Sequence, residues 1–406
     1  MDFNDSSEEA AFRAEARAWL EKTLGPPASR QTARSEGDGI AAAKAYQAKK
    51  AAAGYVGLTW RKEVGGRELP PIFQVIFGQE EQKFQAPVAP FGIGLGMCIP
   101  TVIAFHSPEK IKRYVGPALR GEEIWCQLFS EPMAGSDLAA LRTTAQKKGD
   151  QWIVNGQKIW TSGAQFCDYG LLLARTDPDV PKHKGLTMYF LRMDTPGLEI
   201  KPIKQMSGSS TFNEVFFKDC EVPDAQRVGA VGEGWKVAMG LLGRERSAPL
   251  SRKPEVGELL DYVRQMTLEN GPALNDDAVR EKVADFYVRS EAIRFTRLRM
   301  LTSLSRGQTP GPEGSIMKLA DVNRLQEMVS FAIDLLGPAG AINGSAEPVK
   351  NLFEDAFFFS TALRIAGGTD EIQRNIIAER VLGLPADNRI DKNIAFKDVP
   401  TARNRP

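Results

Sequence analysis

Apolar residues in the first part of the chain recur at helical spacing. In SSEEAAFRAEARAWLEKTLG, Phe12, Ala16, Trp19 and Leu20 fall on one face, and Ser6 with Glu9 supplies a capping-box pattern ahead of them. PPIFQVIFGQEEQKFQAP predicts a second helix, entered through prolines and left before Pro87. The middle of the chain changes period. QWIVNGQKIWTSG sets β-branched and aromatic residues around an Asn-Gly pair, a pattern that predicts a hairpin. DYGLLLART, GLTMYFLRM and STFNEVFFKDCEVP predict further strands, separated by turn residues such as Asp177, Pro178 and Gly197. From GEGWKVAMGLLGRERS onward the pattern returns to helix through Arg380, interrupted by a Gly/Pro-rich loop from Leu304 to Ser315. No internal repeat is visible. Helix, then sheet, then helix implies segregated α and β units rather than a βαβ alternation.

Composition narrows the chemistry. The 406 residues suffice for two or three packed units, with 42% hydrophobic and 25% charged residues and a formal net charge of +1. Nothing in that balance, and no basic run with interleaved aromatics, points to nucleic acid. Met1 to Glu21 carries too many charges for a secretory signal or a membrane span. Cys98, Cys126, Cys167 and Cys220 are widely spaced without a C-x-x-C pair, as expected of reduced thiols in a cytoplasmic protein. With only His106 and His183, a zinc site and a Ser-His-Asp hydrolase are both disfavoured. Acid-base chemistry then falls to carboxylates.

Two stretches carry candidate binding chemistry. CQLFSEPMAGSDLAALRT places Ser130, Gly135 and Ser136 in a turn-rich segment, where small residues admit a flat ligand and hydroxyls can bond its edge. Taken alone, an ordinary polar turn is the better reading. WIVNGQKIWTSGA adds Trp160 and Ser162: an indole to lie along a ring and a hydroxyl beside it, or simply a core tryptophan of a strand.

Together, SEPMAGSD, NGQKIWTSGA, FNEVFFKDCEVP, GEGWKVAMGLLGRER and GGTDEIQRNIIAERVLG, with GLTWRKEVGGRELP nearer the start, resemble the acyl-CoA dehydrogenase family in order and spacing over nearly the whole chain. The resemblance implies an α+β fold: an N-terminal helical domain over 1–121, a middle β-barrel over 122–232 and a C-terminal four-helix bundle over 233–406. It implies FAD, with its flavin between barrel and bundle. Gln127, Phe129 and Ser130 would line the pyrimidine end of the flavin; Trp160 and Ser162 would lie against the ring and near N5. Ser136 would sit near the acyl-CoA and the cofactor phosphates. Thr369 and Glu371 would meet FAD at the start of the last long helix, where free N–H groups and the helix dipole favour phosphate, although plain capping would produce the same residues.

The family's chemistry needs a carboxylate to take the α-proton of an acyl thioester while a hydride leaves the β-carbon. Gly367 stands where a glutamate often stands in the family; its N–H would still bond the thioester oxygen. Members such as isovaleryl-CoA dehydrogenase carry the base on an earlier bundle helix, and that likeness puts Glu245 in the role, with Arg246 after it at the substrate. Leu241, Leu242, Ala248 and Pro249 surround Glu245 at helical spacings, an apolar setting that raises a carboxyl pKa. A solvated glutamate beside Arg244 and Arg246 is the plainer alternative. The family's R-x-x-F-G element is missing: Arg264 lies near its place without a following Phe-Gly, and Asp276 and Asp277 fall where a glutamine is usual. The stretch LLGPAGAINGS is altered as well. Similar departures occur in α2β2 heterotetramers, some acting on bulky steroid or cyclic acyl-CoA thioesters. The expectation is therefore a homotetramer or an α2β2 assembly with a paralogue, passing electrons to an electron-transfer flavoprotein. Two other readings stand beside it: a non-catalytic subunit completing a partner's FAD site, and an oxygen-using flavoenzyme of the same fold.

Overall fold

A computed structural model describes residues 5–26, 36–84, 86–245, 253–305, 311–342, 348–388 and 391–399. Its helices in chain order are α1 (Ser7–Leu24), α2 (Glu36–Ala52), α3 (Pro71–Gln82), α4 (Ile99–Phe105), α5 (Pro108–Leu119) and α6 (Gly234–Glu245). They continue as α7 (Val256–Arg264), α8 (Asp277–Ser305), α9 (Gly314–Asp334), α10 (Pro348–Ile365) and α11 (Asp370–Ile376). The strands are β1 (Trp125–Leu128), β2 (Thr144–Lys148), β3 (Gln151–Ser162), β4 (Tyr169–Arg175) and β5 (Leu186–Arg192). β6 (Leu198–Ile203), β7 (Phe212–Pro223) and β8 (Arg227–Val228) complete one eight-stranded sheet, in which β1 pairs with β4 beside the path β6-β7-β3-β2-β4-β5-β8. Two compact units result. A sheet unit holds Ala33–Leu69, Ala86–Ala248 and Ala386–Pro406; a bundle unit holds Met1–Thr32, Pro70–Gln85 and Pro249–Pro385.

In the sheet unit, β4 is buried along its whole length because the sheet has a core on each face. Leu171 and Leu173 join Met188 and Phe190 of β5 in one cluster; Leu172 and Ala174 join Tyr189, Leu191, Val154 and Val215 in the other. Strand periodicity sends alternate residues to opposite faces, so a continuous apolar run is what such a strand requires. Helix α6 lies on the first of these clusters through Val237, Ala238 and Leu241.

The Asn155-Gly156 pair does not turn the chain. Gln151–Ser162 is one continuous strand, and the hairpin sits earlier, where Gly149 (φ 60°) and Asp150 join β2 to β3 through the pair Lys148 and Gln151. The expected turn is instead a bulge against β7, with a register shift between Val154 and Gly156. Asn155 exchanges hydrogen bonds with Asp219 of that strand, its Nδ2 donating at 3.0 Å and its Oδ1 accepting from the Asp219 N–H at 2.9 Å. Gly156 passes so close to β2 that a Cβ would come within 2.7 Å of the Thr143 Cα. The glycine answers a close approach between strands, not a turn.

In the bundle unit, α1 begins at the expected capping box: Ser6 Oγ accepts from Glu9 N–H, and the Glu9 carboxylate accepts from Ser6 N–H. Phe12, Ala16 and Leu20 are buried, and Phe12 meets Phe73 of α3 edge-on at 5.0 Å. Helices α7 to α10 share a second core that includes Leu259, Val263, Phe286, Leu325, Met328 and Phe353.

Glu80 ties α3 to α1. Its side chain has no exposed surface and accepts from Arg13 (3.1 Å), Arg17 (2.9 Å) and Lys83 (2.8 Å). Burial pushes its pKa up, but hydrogen bonds from the three cations outweigh that and hold it down at about 2, against an ordinary 4.5. A carboxyl with a depressed folded pKa contributes stability that is complete above 4.5 and disappears as the pH falls to about 2. At neutral pH Glu80→Gln is expected to cost about 2 kcal/mol. Thermal unfolding followed by circular dichroism should show the gap between native and variant proteins closing across this acid window. An equal gap at every pH would rule the linkage out.

Candidate active site

The sheet unit gathers Gln127, Phe129, Ser130, Trp160 and Ser162 where β1 runs out beside the end of β3. The Ile159 N–H donates to the Ser130 carbonyl at 2.9 Å. Next to it, the buried Lys158 Nζ donates to the Phe129 carbonyl at 3.0 Å and to Glu131 Oε1 at 2.8 Å. Glu131 also accepts from the N–H groups of Arg142 (2.6 Å) and Thr143 (2.9 Å), so one buried carboxylate closes the loop from 131 to 143. Burial lowers the Lys158 pKa to about 8. Burial acts in the opposite sense on Glu131, but the Lys158 charge and these hydrogen bonds prevail, leaving its pKa below the ordinary value.

Sequence motifs alone did not single out this pair. Its signal was parity: Trp152, Val154 and Lys158 are all buried in β3, so the period that predicts an inward Trp152 also predicts an inward lysine. A buried lysine requires a carboxylate, and Glu131 lies in the motif opposite.

Trp160 departs from strand geometry. Its backbone is left-handed (φ 61°), its register slips against β7 between Lys158 and Thr161, and its indole is 56% exposed. Left-handed backbone costs a bulky residue about 1–2 kcal/mol, which an exposed ring does not recover by burial. Phe212 of β7 meets the ring edge-on at 6.1 Å. Around it, the Gln127 amide and the hydroxyls of Ser130 and Ser162 are partly exposed and have no hydrogen-bond partner among the described residues. An exposed flat ring beside unspent edge donors suits a planar heteroaromatic ligand. Phe129 is buried beneath, and Ser136 stands exposed in the loop that follows.

Glu245 is the last described residue of α6; its side chain, and Arg246 entirely, lie outside the described residues.

The bundle unit holds Gly367, Thr369 and Glu371. Gly367 (φ 67°) and Gly368 (φ 93°) both take left-handed backbone in the turn between α10 and α11. Their carbonyls face inward: Gln373 Nε2 donates to Gly367 O at 2.7 Å, and Lys318 Nζ to Gly368 O at 2.6 Å. Among the described residues the Gly367 N–H makes no backbone hydrogen bond. Thr369 caps α11, its Oγ1 accepting from the Ile372 N–H at 3.3 Å. Asp370, buried, accepts from Arg364 Nε at 2.9 Å, whereas Glu371 is exposed and lies 3.8 Å from Arg374. Arg264 pairs with Asp261 at 2.9 Å at the exposed end of α7. Asp276 accepts from the N–H groups of Ala278 and Val279 at the start of α8, and Asp277 points outward. A cavity of about 400 Å³ beside Gly337 and Gly340 is lined by Asp334, Glu354 and Phe357. Among the described residues, no group of His, Cys, Asp and Glu is placed to hold a metal, and no helix is long and apolar enough to cross a membrane.

Known proteins share both the sequence pattern and the fold. Residues 6–122, 126–220 and 232–382 match, in turn, the N-terminal, middle and C-terminal domains of acyl-CoA dehydrogenases. The acyl-CoA dehydrogenase IpdE1 of Mycobacterium tuberculosis is 36% identical over 392 residues, which cover 93% of this chain and 98% of that protein. The protein of the same name from Mycolicibacterium smegmatis is 36% identical over 403 residues, with coverage of 93% and 98%. In three dimensions, the ChsE4-ChsE5 complex from Mycobacterium tuberculosis matches with a TM-score of 0.81 at 28% identity, covering 96% of this chain and 100% of that one. Since the matched segments run through the β1–β3 edge, α6 and the glycine turn alike, the chain belongs to the acyl-CoA dehydrogenase family, oxidoreductases acting on CH–CH groups.

Proposed function

We propose that this chain carries out the FAD-dependent α,β-dehydrogenation of an acyl-CoA thioester, with Glu245 as the base that takes the α-proton. The observation that carries the proposal is the edge of the sheet unit, where exposed Trp160 stands in left-handed backbone beside groups of Gln127, Ser130 and Ser162 that have no hydrogen-bond partner among the described residues. This donor set fits a flavin. Gln127, Phe129 and Ser130 would hold its pyrimidine edge, and Trp160 and Ser162 its ring; FAD, when bound, supplies the hydride acceptor. The Gly367 N–H, which makes no backbone hydrogen bond among the described residues, would donate to the thioester oxygen as enolate character develops. Ser136 and Arg246 would serve the acyl-CoA, and Thr369 and Glu371 the cofactor. An electron-transfer flavoprotein is the acceptor in this reading. An oxygen-using enzyme would instead reoxidise rapidly in air.

A second arrangement is favoured by the bundle unit. Arg264 is engaged by Asp261, and the cavity beside Gly337 carries two carboxylates, a poor setting for a pyrophosphate. A paralogous chain in an α2β2 assembly would then complete the adenosine half of the site; a homotetramer would have to complete it from this sequence alone.

The test is flavin absorbance per chain and mass in solution, for the native chain and Trp160→Ala. With the ring removed, FAD affinity is expected to fall about tenfold, as loss of one stacking side chain implies. Native and variant chains retaining flavin equally through gel filtration at low concentration would refute the placement of Trp160. A flavin-free native chain that gains FAD on coexpression with a paralogue would select the α2β2 arrangement.

A further inference from the structure

From the contacts of residues 391–399 we infer that the C-terminal segment is a strap holding the Ser130–Thr143 loop in its working shape, with Asp391 and Phe396 as its positioning residues. The inference rests on the reading above that this loop, through Ser130 and Ser136, serves flavin and acyl-CoA. Two anchors carry it. Lys182, with a side chain only 7% exposed, bonds the Asp391 carboxylate on one side and Asp137, next to Ser136, at 2.7 Å on the other. A single ammonium therefore ties the tail to the loop. Farther along, the Phe396 ring lies 3.4 Å from the Arg175 guanidinium carbon. Arg175 is buried, and its N–H groups donate to the carbonyls of Ala139 (2.6 Å), Leu141 (3.1 Å) and Lys182 (3.3 Å). The aromatic face thus covers the cation that fixes the closing half of the same loop.

The tail is seated by its backbone as well. Phe396 N–H donates to Val180 O at 2.9 Å, Lys397 N–H to Pro178 O at 3.0 Å, and Pro181 bridges Ala395. The loop has holds of its own, since Ala134, Leu138, Ala139 and Leu141 are buried in the first core cluster and Glu131 bonds the Arg142 and Thr143 N–H groups. Around Met133, 79% exposed, and Gly135, where an added Cβ would meet nothing, it is looser. A stretch with few buried contacts opens most readily, and the tail adds its two anchors at Asp137 and Arg175 to what keeps this one closed.

Hydrogen exchange read by mass spectrometry on the purified flavoprotein tests this directly. In Phe396→Ala and Asp391→Ala, peptides spanning 131–142 are expected to exchange about tenfold faster, the effect of losing one cation–π contact or one partly buried ion pair. Peptides of α7 should be unchanged. Phe396→Tyr and Asp391→Glu should restore slow exchange, which general loosening would not predict. If Phe396→Ala fails to fold, Asp391→Asn keeps the shape and carries the same comparison. Unchanged exchange across 131–142 in the folded variants would overturn the strap. Calorimetry with coenzyme A as the probe separates the strap from the reading it rests on. Binding weakened about tenfold in the strap variants supports both. A native protein that binds no coenzyme A refutes the acyl-CoA role of the loop, while the exchange data still decide the strap.

Discussion

Glu245→Gln is expected to keep its flavin and yet reduce it with acyl-CoA roughly a thousandfold more slowly than the native protein, the scale of a lost general base. An α-proton of a thioester is weakly acidic, so the transition state depends on a carboxylate within reach and on donors at the thioester oxygen. The substitution removes only the first. Glu245 closes α6, whose buried Val237, Ala238 and Leu241 fix the helix against the sheet unit. Glutamine has the same size, so binding of a substrate analogue should change little. Anaerobic stopped-flow reduction measures the step itself. Reduction at the native rate with flavin retained would show that another carboxylate is the base, and Glu245 would revert to an ordinary helix-end glutamate.

The second large effect is on stability. Lys158→Met should cost about 3–5 kcal/mol, because Glu131 is then left buried without its cation. For a chain of this size that corresponds to a fall of roughly 5 °C in melting temperature. The Phe129 carbonyl loses its donor at the same time, so flavin affinity should drop with stability. Adding Glu131→Gln to the variant removes the uncompensated charge and is expected to recover most of the loss, since contacting residues are not additive. Calorimetric melting of the two single variants and the double variant gives the coupling. A double variant no more stable than Lys158→Met would mean that packing, not charge, accounts for the cost.

What could be read from the sequence followed from how local each determinant is. β4 and β5 announce themselves as continuous apolar runs and β7 by its alternation, because burial in a sheet leaves either pattern within seven to twelve positions. The capping box of α1 is more local still. Asn155-Gly156 misleads for the opposite reason. The residues that make it a bulge, Thr143 and Asp219, are brought to it by the fold. Trp160 and Ser162 were visible as motif residues, but the left-handed backbone that exposes the indole is a property of the β3–β7 register. Lys158 was legible from parity and Glu131 only from its partner's need. The hold of Phe396 on Arg175 has no sequence signature, because a phenylalanine in a charged tail looks the same whether it is docked or free.

The paired left-handed glycines also bear on how a base can move within a family. A glutamate at position 367 would have to take φ 67°, and a Cβ at 368 would come within 2.6 Å of the Gln373 Nε2 that secures the turn. A single exchange at Gly367 therefore arrives with strain of about 1–2 kcal/mol before it offers any chemistry. Relieving that strain would mean reshaping the turn, including the grip of Lys318 and Gln373 on the two carbonyls. A side chain at 367 therefore asks for coordinated changes in the turn and in the residues that hold it, rather than for one exchange.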